Sequence, residues 1–547
     1  MDLPEIRDYL AQFLDDSQLA SAAAVCKNWH ASFTPFLYRH VEWSDDYKTP
    51  SKEAVESNSE HIRTLHLYDQ PIDFSPEACT RLEHLNFLIL IDDPTTWKDL
   101  ATLVLRNPNL QSITLRALDT KPSYDFMLAV STCLRLKILD VHFANLSRNC
   151  TDLLLDTCVR LEQLVINGGV MADLSSLDRW PEFPQIQVFD LDIDSGMSVQ
   201  NQLQMFQKCP RLRSIKWYAN QDQPCPTTSI CELFSTFCPS LESLELGGWL
   251  LPDKDIVKIL NSCPRMVSFS VFGPGFGQRA LQSLVRHFSH LTSLNLRLCS
   301  GATSPMIQTI MTSCPELTYL CANSLNARDI LGLDAEDGEA AIGAAECNPH
   351  SWICMNLRSL TLYIYGLEGK PALWQRLVLK QLARMTKLDF LTVGPFEFDP
   401  RDSHDGIDLR LETGLDILSS LKLLDRLCFD GLWQQMEEKD VRWMVETWPL
   451  LERVEGRVHH SNRRREELEK ILKERSIALV SYMDSENEND ENESDENEND
   501  ENENDENEND ENENDENEND ENENDENEND ESENDEIENS DASAAGE

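Results

Sequence analysis

One spacing constrains this chain more than any other feature. The pattern L-x-x-L-x-L, with other apolar residues allowed, begins at Ile62, Leu82, Leu110, Leu136, Leu161, Ile186, Leu212, Leu241, Met266, Leu291, Leu317, Leu357, Leu388, Leu424 and Leu451. From Leu110 to Leu317 the steps are 26, 25, 25, 26, 29, 25, 25 and 26 residues. Randomly clustered leucine does not hold so narrow a period. Copies such as LEQLVI at 161–166 and LESLEL at 241–246 alternate in the manner of a strand, with apolar side chains on one face. An amphipathic stretch of helical spacing precedes each copy, such as Ile256, Val257, Ile259 and Leu260 before Met266. A strand and a helix in about 25 residues cannot bury their own apolar faces, so neighbouring units must stack. The expected fold class is α/β: a solenoid over residues 60–456, with a parallel sheet inside and helices outside.

A second periodic feature runs through the array. Seven cysteines, Cys79, Cys133, Cys158, Cys209, Cys238, Cys263 and Cys314, stand three residues before the first apolar residue of a copy. Four are followed by proline, and Asn107-Pro108 and Trp448-Pro449 occupy the same slot. Proline there suits a helix that must stop before the next strand. Free cysteine behaves as a small buried hydrophobe. A ladder of reduced thiols points to the cytoplasm or nucleus. The array resembles the leucine-rich-repeat family, and the cysteine slot resembles its cysteine-containing subclass. Two steps are long, 40 residues from Leu317 to Leu357 and 36 from Leu388 to Leu424. They place insertions near 331–350 and 396–406, and insertions in repeat proteins map to loops that often bind. The stretch 461–480 reads as an amphipathic helix with Leu468, Ile471 and Leu472 on one side, making 457–483 a C-terminal cap.

Charge divides the chain unevenly. The formal net charge is −52 over 547 residues, and residues 484–547 hold 35 Asp or Glu with no Lys or Arg. The rest carries 64 acidic against 47 basic groups. Such a body argues against a nucleic-acid surface, which needs clustered Lys and Arg. The unit ENENDENEND recurs three times in 501–530, and Ile537 is the one large apolar residue from Ser485 onward. A tail of this composition is expected to be disordered. It reads as a low-complexity expansion, or as an acidic partner for histones and other basic proteins. Met1 is followed by Asp2, Pro4 and Glu5, unlike a secretory leader. No stretch reaches the roughly 18 consecutive apolar residues of a membrane span.

Residues 3–43 carry a different pattern. Leu3-Pro4 leads into a short helix with apolar Ile6, Leu10, Phe13 and Leu14. Asp15-Asp16-Ser17 breaks it and caps a second, Ala-rich helix with Leu19. A third carries Val25, Cys26, Trp29 and Phe33, and Pro35 is expected to end it. About 40 residues bury too little to fold alone, so such a piece needs a partner or the adjacent solenoid.

Leu3-Pro4-Glu5-Ile6, Leu10, Leu14-Asp15-Asp16, Leu19 and Val25-Cys26-Lys27-Asn28-Trp29 resemble the F-box family. Phe36-Leu37-Tyr38 and Trp43 are similar to its closing aromatic segment, and the residue often found between Pro and Glu is absent. The resemblance assigns 1–43 to an F-box and 44–59 to a linker. It implies binding to a Skp-type adaptor of a cullin-based ubiquitin ligase through Leu3, Pro4, Ile6, Leu10, Leu14, Leu19, Val25 and Trp29. Each also fits a role in holding three helices together, because so small a module shares one apolar set between core and interface. The repeats would then hold a target protein, and the chain would catalyse nothing itself. It would tether a target near the ubiquitin-loaded enzyme. The alternative is a repeat scaffold that binds a protein without ligase function.

Candidates for chemistry are weak. Cys347, His350 and Cys354 form C-x2-H-x3-C without an evident fourth ligand. The glycine run at 272–277 follows a strand but lacks phosphate-loop spacing and a following lysine. Cys26 and His30 lie one turn apart with no orienting third group. No catalytic residue, metal or cofactor is assigned. The expected target surface is the sheet's solvent face, with Arg213, Lys216, Glu242, Glu245, Asn295 and Arg297 as candidates. Their mixed chemistry names no ligand class.

Overall fold

The structure is a computed structural model that describes residues 4–480, apart from 45–49, 69–73, 90–93, 118–119, 143, 169–170, 172–179, 193–196, 219–225, 334–350 and 396–404. Most of both insertions, Cys347, His350, Leu3 and the whole acidic tail lie outside the described residues.

The repeat spacing becomes one parallel sheet of 17 strands. These are β1 (His40–Trp43), β2 (Thr64–Tyr68), β3 (His84–Ile89), β4 (Ser112–Ala117), β5 (Ile138–His142), β6 (Gln163–Asn167), β7 (Val188–Asp192), β8 (Ser214–Tyr218) and β9 (Ser243–Gly247). Then follow β10 (Ser268–Val271), β11 (Ser293–Leu296), β12 (Tyr319–Asn326), β13 (Ser359–Tyr365), β14 (Phe390–Thr392), β15 (Arg426–Cys428), β16 (Arg453–Glu455) and β17 (Ala478–Val480). Each strand pairs with its neighbours in sequence, so the sheet advances one strand per repeat. The fourth residue of every repeat copy falls at one register position, as in Leu139, Leu164, Phe189, Ile215 and Leu244. These side chains are buried.

The sheet runs one strand past the repeat pattern at each end. Before the first copy, Tyr38-Arg39-His40-Val41-Glu42-Trp43 supplies an aromatic version, and Val41 pairs in register with Leu65. After the last, the helix Asn462–Lys473 buries Leu468 and Leu472. The chain then turns into β17 instead of staying helical to residue 480. Both ends therefore extend the ladder with one apolar residue where a full copy of the motif is lacking: Val41, which is buried, and Leu479, which is partly buried.

The outer layer consists of helices that bury one stripe against the strands. In Asp253–Ser262 that stripe is Ile256, Ile259 and Leu260. The cysteine slot is where helix turns into strand. Cys209 donates its backbone N–H to Phe206, and its carbonyl accepts from Leu212. The slot thiols are buried and free. Cys158 Sγ donates to the Leu154 carbonyl at 3.2 Å and Cys209 Sγ to Met205 at 3.4 Å. Burial pushes the Cys79, Cys158 and Cys238 thiols up to about 12. Cys354 holds the same slot before Leu357 and is buried, with Sγ 3.4 Å from the Met311 carbonyl. Phe183, Phe288, Met385, Leu421 and Trp448 fill the slot elsewhere and are buried too. Asn107 is a buried polar occupant of the slot. Its Oδ1 accepts from the Leu82 N–H, and its Nδ2 donates to the Cys79 and Leu103 carbonyls, each at 2.7 Å. The whole is a leucine-rich-repeat solenoid.

Candidate functional site

The first surface belongs to three N-terminal helices, α1 (Pro4–Ala11), α2 (Asp16–Ala23) and α3 (Lys27–Leu37). Asp15 caps α2: its Oδ1 accepts from the Gln18 N–H at 2.8 Å, and its own N–H donates to Gln18 Oε1 at 3.2 Å. That reciprocal pair satisfies two donors at the helix start. Pro35 does not end α3, as the sequence suggested, but lies inside it. It stands two residues from the terminus, where the missing N–H forfeits a single helical bond, and Tyr38 N–H still reaches the Thr34 carbonyl at 3.1 Å.

The three helices enclose a small core of their own, formed by Ala11, Leu19, Ala22, Ala23 and Phe33, with Leu14, Trp29, Phe36 and Leu37 packed against it. Trp29 leans on Phe33 with ring centroids 5.4 Å apart. Alanines on α2 let the helices approach closely. The outward side is apolar as well: Ile6 is 42% exposed, Tyr9 62%, Phe13 67% and Val25 63%. Tyr9 and Phe13 meet edge to face at 5.0 Å. The eight sequence candidates therefore divide. Leu19 is enclosed, and Leu10, Leu14 and Trp29 are half-buried. Ile6 and Val25 are exposed. Pro4 opens α1, while Leu3 lies outside the described residues. Tyr9 and Phe13 were missed as surface residues. Their spacing from Ile6, three and seven residues on, was the available signal.

The second surface is the sheet's solvent face. Lys216, Glu245 and Asn295 occupy the row one residue past the buried ladder. Arg213 and Glu242 stand at strand entrances, where their carbonyls accept from the next repeat: Arg213 from Glu242 and Ser243, Glu242 from Val267 and Ser268. Arg297 lies just past β11, its N–H donated to Asn295 Oδ1 at 3.0 Å. So the structure brings the Lys216 and Glu245 side chains together at 3.9 Å, and links Glu242 to Arg213 and Arg297 to Asn295 through backbone N–H groups. It adds Asp190, 4.0 Å from Lys216, and Tyr218, whose hydroxyl donates to Glu245. Asp190's carboxyl is pushed up to about 6, first by burial and then by Glu245, Asp140 and Asp192, against the pull of Lys216. Burial, and next the bond to Glu245, raises the Tyr218 phenol.

The chemical candidates have structural explanations. In the glycine run, Asp253 of the preceding repeat already occupies the place a phosphate would take. Its Oδ1 accepts from the Gly277 and Ala280 N–H groups at 3.0 and 2.8 Å, and its Oδ2 from Arg279 at 3.1 Å. A Cβ on Gly275 would lie 1.5 Å from the Leu251 carbonyl oxygen, so close backbone approach requires glycine there. Cys26 is exposed at the start of α3. His30 Nδ1 lies 3.3 Å from Thr34 Oγ1. Among the described residues no three His, Cys, Asp or Glu side chains are grouped to hold a metal ion. Among the same residues no helix is long and apolar enough to cross a membrane.

The chain matches no family model and no curated protein. Solved structures with partial likeness include the Rad7 and Elc1 complex of yeast (TM-score 0.38, 13% identity, covering 84% of this chain and 89% of that one). An internalin of Listeria monocytogenes has TM-score 0.27 and 13% identity over 79% of this chain and 89% of that one. The leucine-rich-repeat ectodomain of the Arabidopsis thaliana receptor kinase GASSHO1/SCHENGEN3 has TM-score 0.34 and 15% identity over 74% and 49%. Likenesses this low decide nothing about partners or activity. The seventeen-strand ladder itself establishes the architecture: a leucine-rich-repeat solenoid headed by three helices with an exposed apolar face.

Proposed function

We propose that this chain is the target-recognition subunit of a cullin-type ubiquitin ligase, docking a Skp-type adaptor through α1–α3 and holding a protein target on the inner face of the solenoid. One observation carries the reading. Ile6, Tyr9, Phe13 and Val25 are large apolar side chains left in solvent by helices that have a core of their own. Scattered exposed leucines need no explanation, but four such residues within one short module form a surface that a partner would cover. The F-box resemblance names the partner, and the half-buried Leu10, Leu14 and Trp29 would back the exposed ones. Pro4 and Leu3 would extend the contact at the N-terminus, and Leu19 would hold the helices in place from inside. The chain then supplies proximity and leaves bond chemistry to other subunits.

The test is capture of a purified Skp-type adaptor by the full chain. Wild type retains it; Ile6→Asp and Val25→Asp lose it with unchanged melting temperature. Failure of wild-type capture, or full capture by both variants, sinks the proposal.

A further inference from the structure

The inner face from β5 to β10 holds more acceptors than its own donors satisfy. One row reads Asp140, Val165, Asp190, Lys216, Glu245 and Ser270 in consecutive register. The row two residues on reads His142, Asn167, Asp192, Tyr218 and Gly247, with Arg116 beside His142. Some of these groups already have neighbours: His142 Nε2 lies 2.6 Å from Asp140 Oδ1. Lys216 is shared between Asp190 at 4.0 Å and Glu245 at 3.9 Å, both at the limit of an ion pair, and is half-exposed.

Apart from Asp140 Oδ1, which lies against His142, two buried acceptors on this face are left over among the described residues. Asp190 Oδ1 has no hydrogen-bond partner. Neither does Ser270 Oγ, on a residue only 7% exposed that sits beside Glu245 in register. An unpaired buried acceptor costs free energy that a donor from outside would recover. Glycine at 247 lets the neighbouring ring lie directly on β9, because a Cβ there would lie 2.1 Å from Tyr218 Cδ1. Tyr218 and Phe272 face each other with centroids 6.2 Å apart and 32° between planes. A carboxylate, a free hydroxyl and an aromatic wall are the set that suits a guanidinium, which offers planar donors and a face that stacks on rings.

We propose that Glu245 and Ser270, walled by Tyr218 and Phe272, seat an arginine side chain of the target protein, with Asp190 taking a second basic residue of the same segment. Strands about 4.8 Å apart place Asp190 two steps from Glu245, roughly 10 Å, within reach of neighbouring side chains on one extended segment. The inference rests on the reading that the inner face holds the target, and it concerns the chemistry of that target.

The test uses the full chain and a fluorescein-labelled peptide, Gly-Ser-Arg-Ser-Arg-Ser-Gly, followed by anisotropy at physiological salt. The matched probe carries citrulline in place of arginine, which keeps the shape and removes the charge. The acidic tail attracts any cation, so the variants keep it. Glu245→Gln combined with Ser270→Ala is expected to weaken binding at least tenfold. Glu466→Gln, an exposed acid far along the chain, leaves it unchanged. The citrulline peptide binds at least tenfold more weakly than the arginine peptide. Absence of binding, equal binding of the two peptides, or unchanged binding in the double variant overturns the proposal, whatever adaptor capture gives. Loss of adaptor capture with arginine binding still dependent on Glu245 removes the ligase reading and leaves this one standing.

Discussion

Apolar residues meet two different fates in this molecule. In the repeats, the ladder positions Leu139, Leu164, Leu244 and Leu320 are closed off from water, and the core runs without a break from Val41 to Ile477. In the first three helices, Phe33 and Leu19 are enclosed while Ile6, Tyr9, Phe13 and Val25 stay in solvent. The difference follows from geometry. A repeat has a neighbour on each side, so every unit covers the next. Three short helices have no such neighbour and too little interior to enclose their own apolar set. An apolar residue in the array therefore reports on stability, and one on the outer side of α1–α3 reports on a partner.

The largest test of that contrast is Leu244→Ala. Leu244 is fully buried between Ile215 and Phe269 in register. Truncation is expected to cost roughly 3–5 kcal/mol through lost burial plus the cavity left behind. Urea unfolding followed by circular dichroism measures it. A cost below about 1 kcal/mol would mean the ladder does not govern stability.

Asn107→Ala comes next. The substitution strands the Leu82 N–H and two carbonyls that the amide now serves. The expected cost is roughly 2–4 kcal/mol, because three buried groups each lose a hydrogen-bond partner. Asn107→Cys, which restores the residue used in most slots, should not rescue stability, since a thiol offers the Leu82 N–H only a weak acceptor. Full rescue by cysteine would show that filling the slot matters and the hydrogen bonds do not.

His287 gives a pH-dependent prediction. It is buried in the outer layer, and its imidazole is held down to about 4, first by burial, then by His290 and Arg286, against an opposing backbone bond at Leu260. The unfolded imidazole takes a proton near 6.5 and the folded one near 4, so the unfolded chain binds more protons between those values. The contribution is whole above about 6.5 and falls away as pH drops toward 4. His287→Phe should therefore show a shallower loss of melting temperature between pH 7 and 4.5 than wild type. An equal or steeper loss would place the acid sensitivity elsewhere.

Much of this was legible in the sequence because a repeat announces itself many times over. Each L-x-x-L-x-L start places its fourth residue in the ladder, so a poor copy such as that at Met266 is read by its neighbours. What was not legible lacked repetition. β1 hides in an aromatic variant around Val41. Cys354 looked like part of a metal motif because Cys347 and His350 precede it, although it stands three residues before Leu357 like the other slot cysteines. The repeat period puts Asp190, Lys216, Glu245 and Ser270 at one position of successive copies, but the bond from the Tyr218 hydroxyl to Glu245 and the burial of Asp190 depend on side-chain packing in the folded sheet. In α1–α3 the spacing of Ile6, Tyr9, Phe13 and Leu14 shows a helix. Which of them faces water depends on where α2 and α3 pack, and that does not repeat.

The smallest expected effect on stability is also the sharpest test of the contrast. Phe13→Ser removes an aromatic ring that is 67% exposed and touches Tyr9 at its edge. An aromatic removed from a protein core costs about 3–5 kcal/mol. Here the ring is already in water, so the change should fall within about 0.5 kcal/mol, as for other surface substitutions. Phe33→Ala, on the enclosed side of the same module, should by contrast expose Leu19 and Trp29 and open 4–43 to limited proteolysis while the repeats stay protected. If Phe13→Ser destabilises the helices as much as Phe33→Ala, then Phe13 belongs to their interior in solution, and the apolar face is not a surface awaiting a partner.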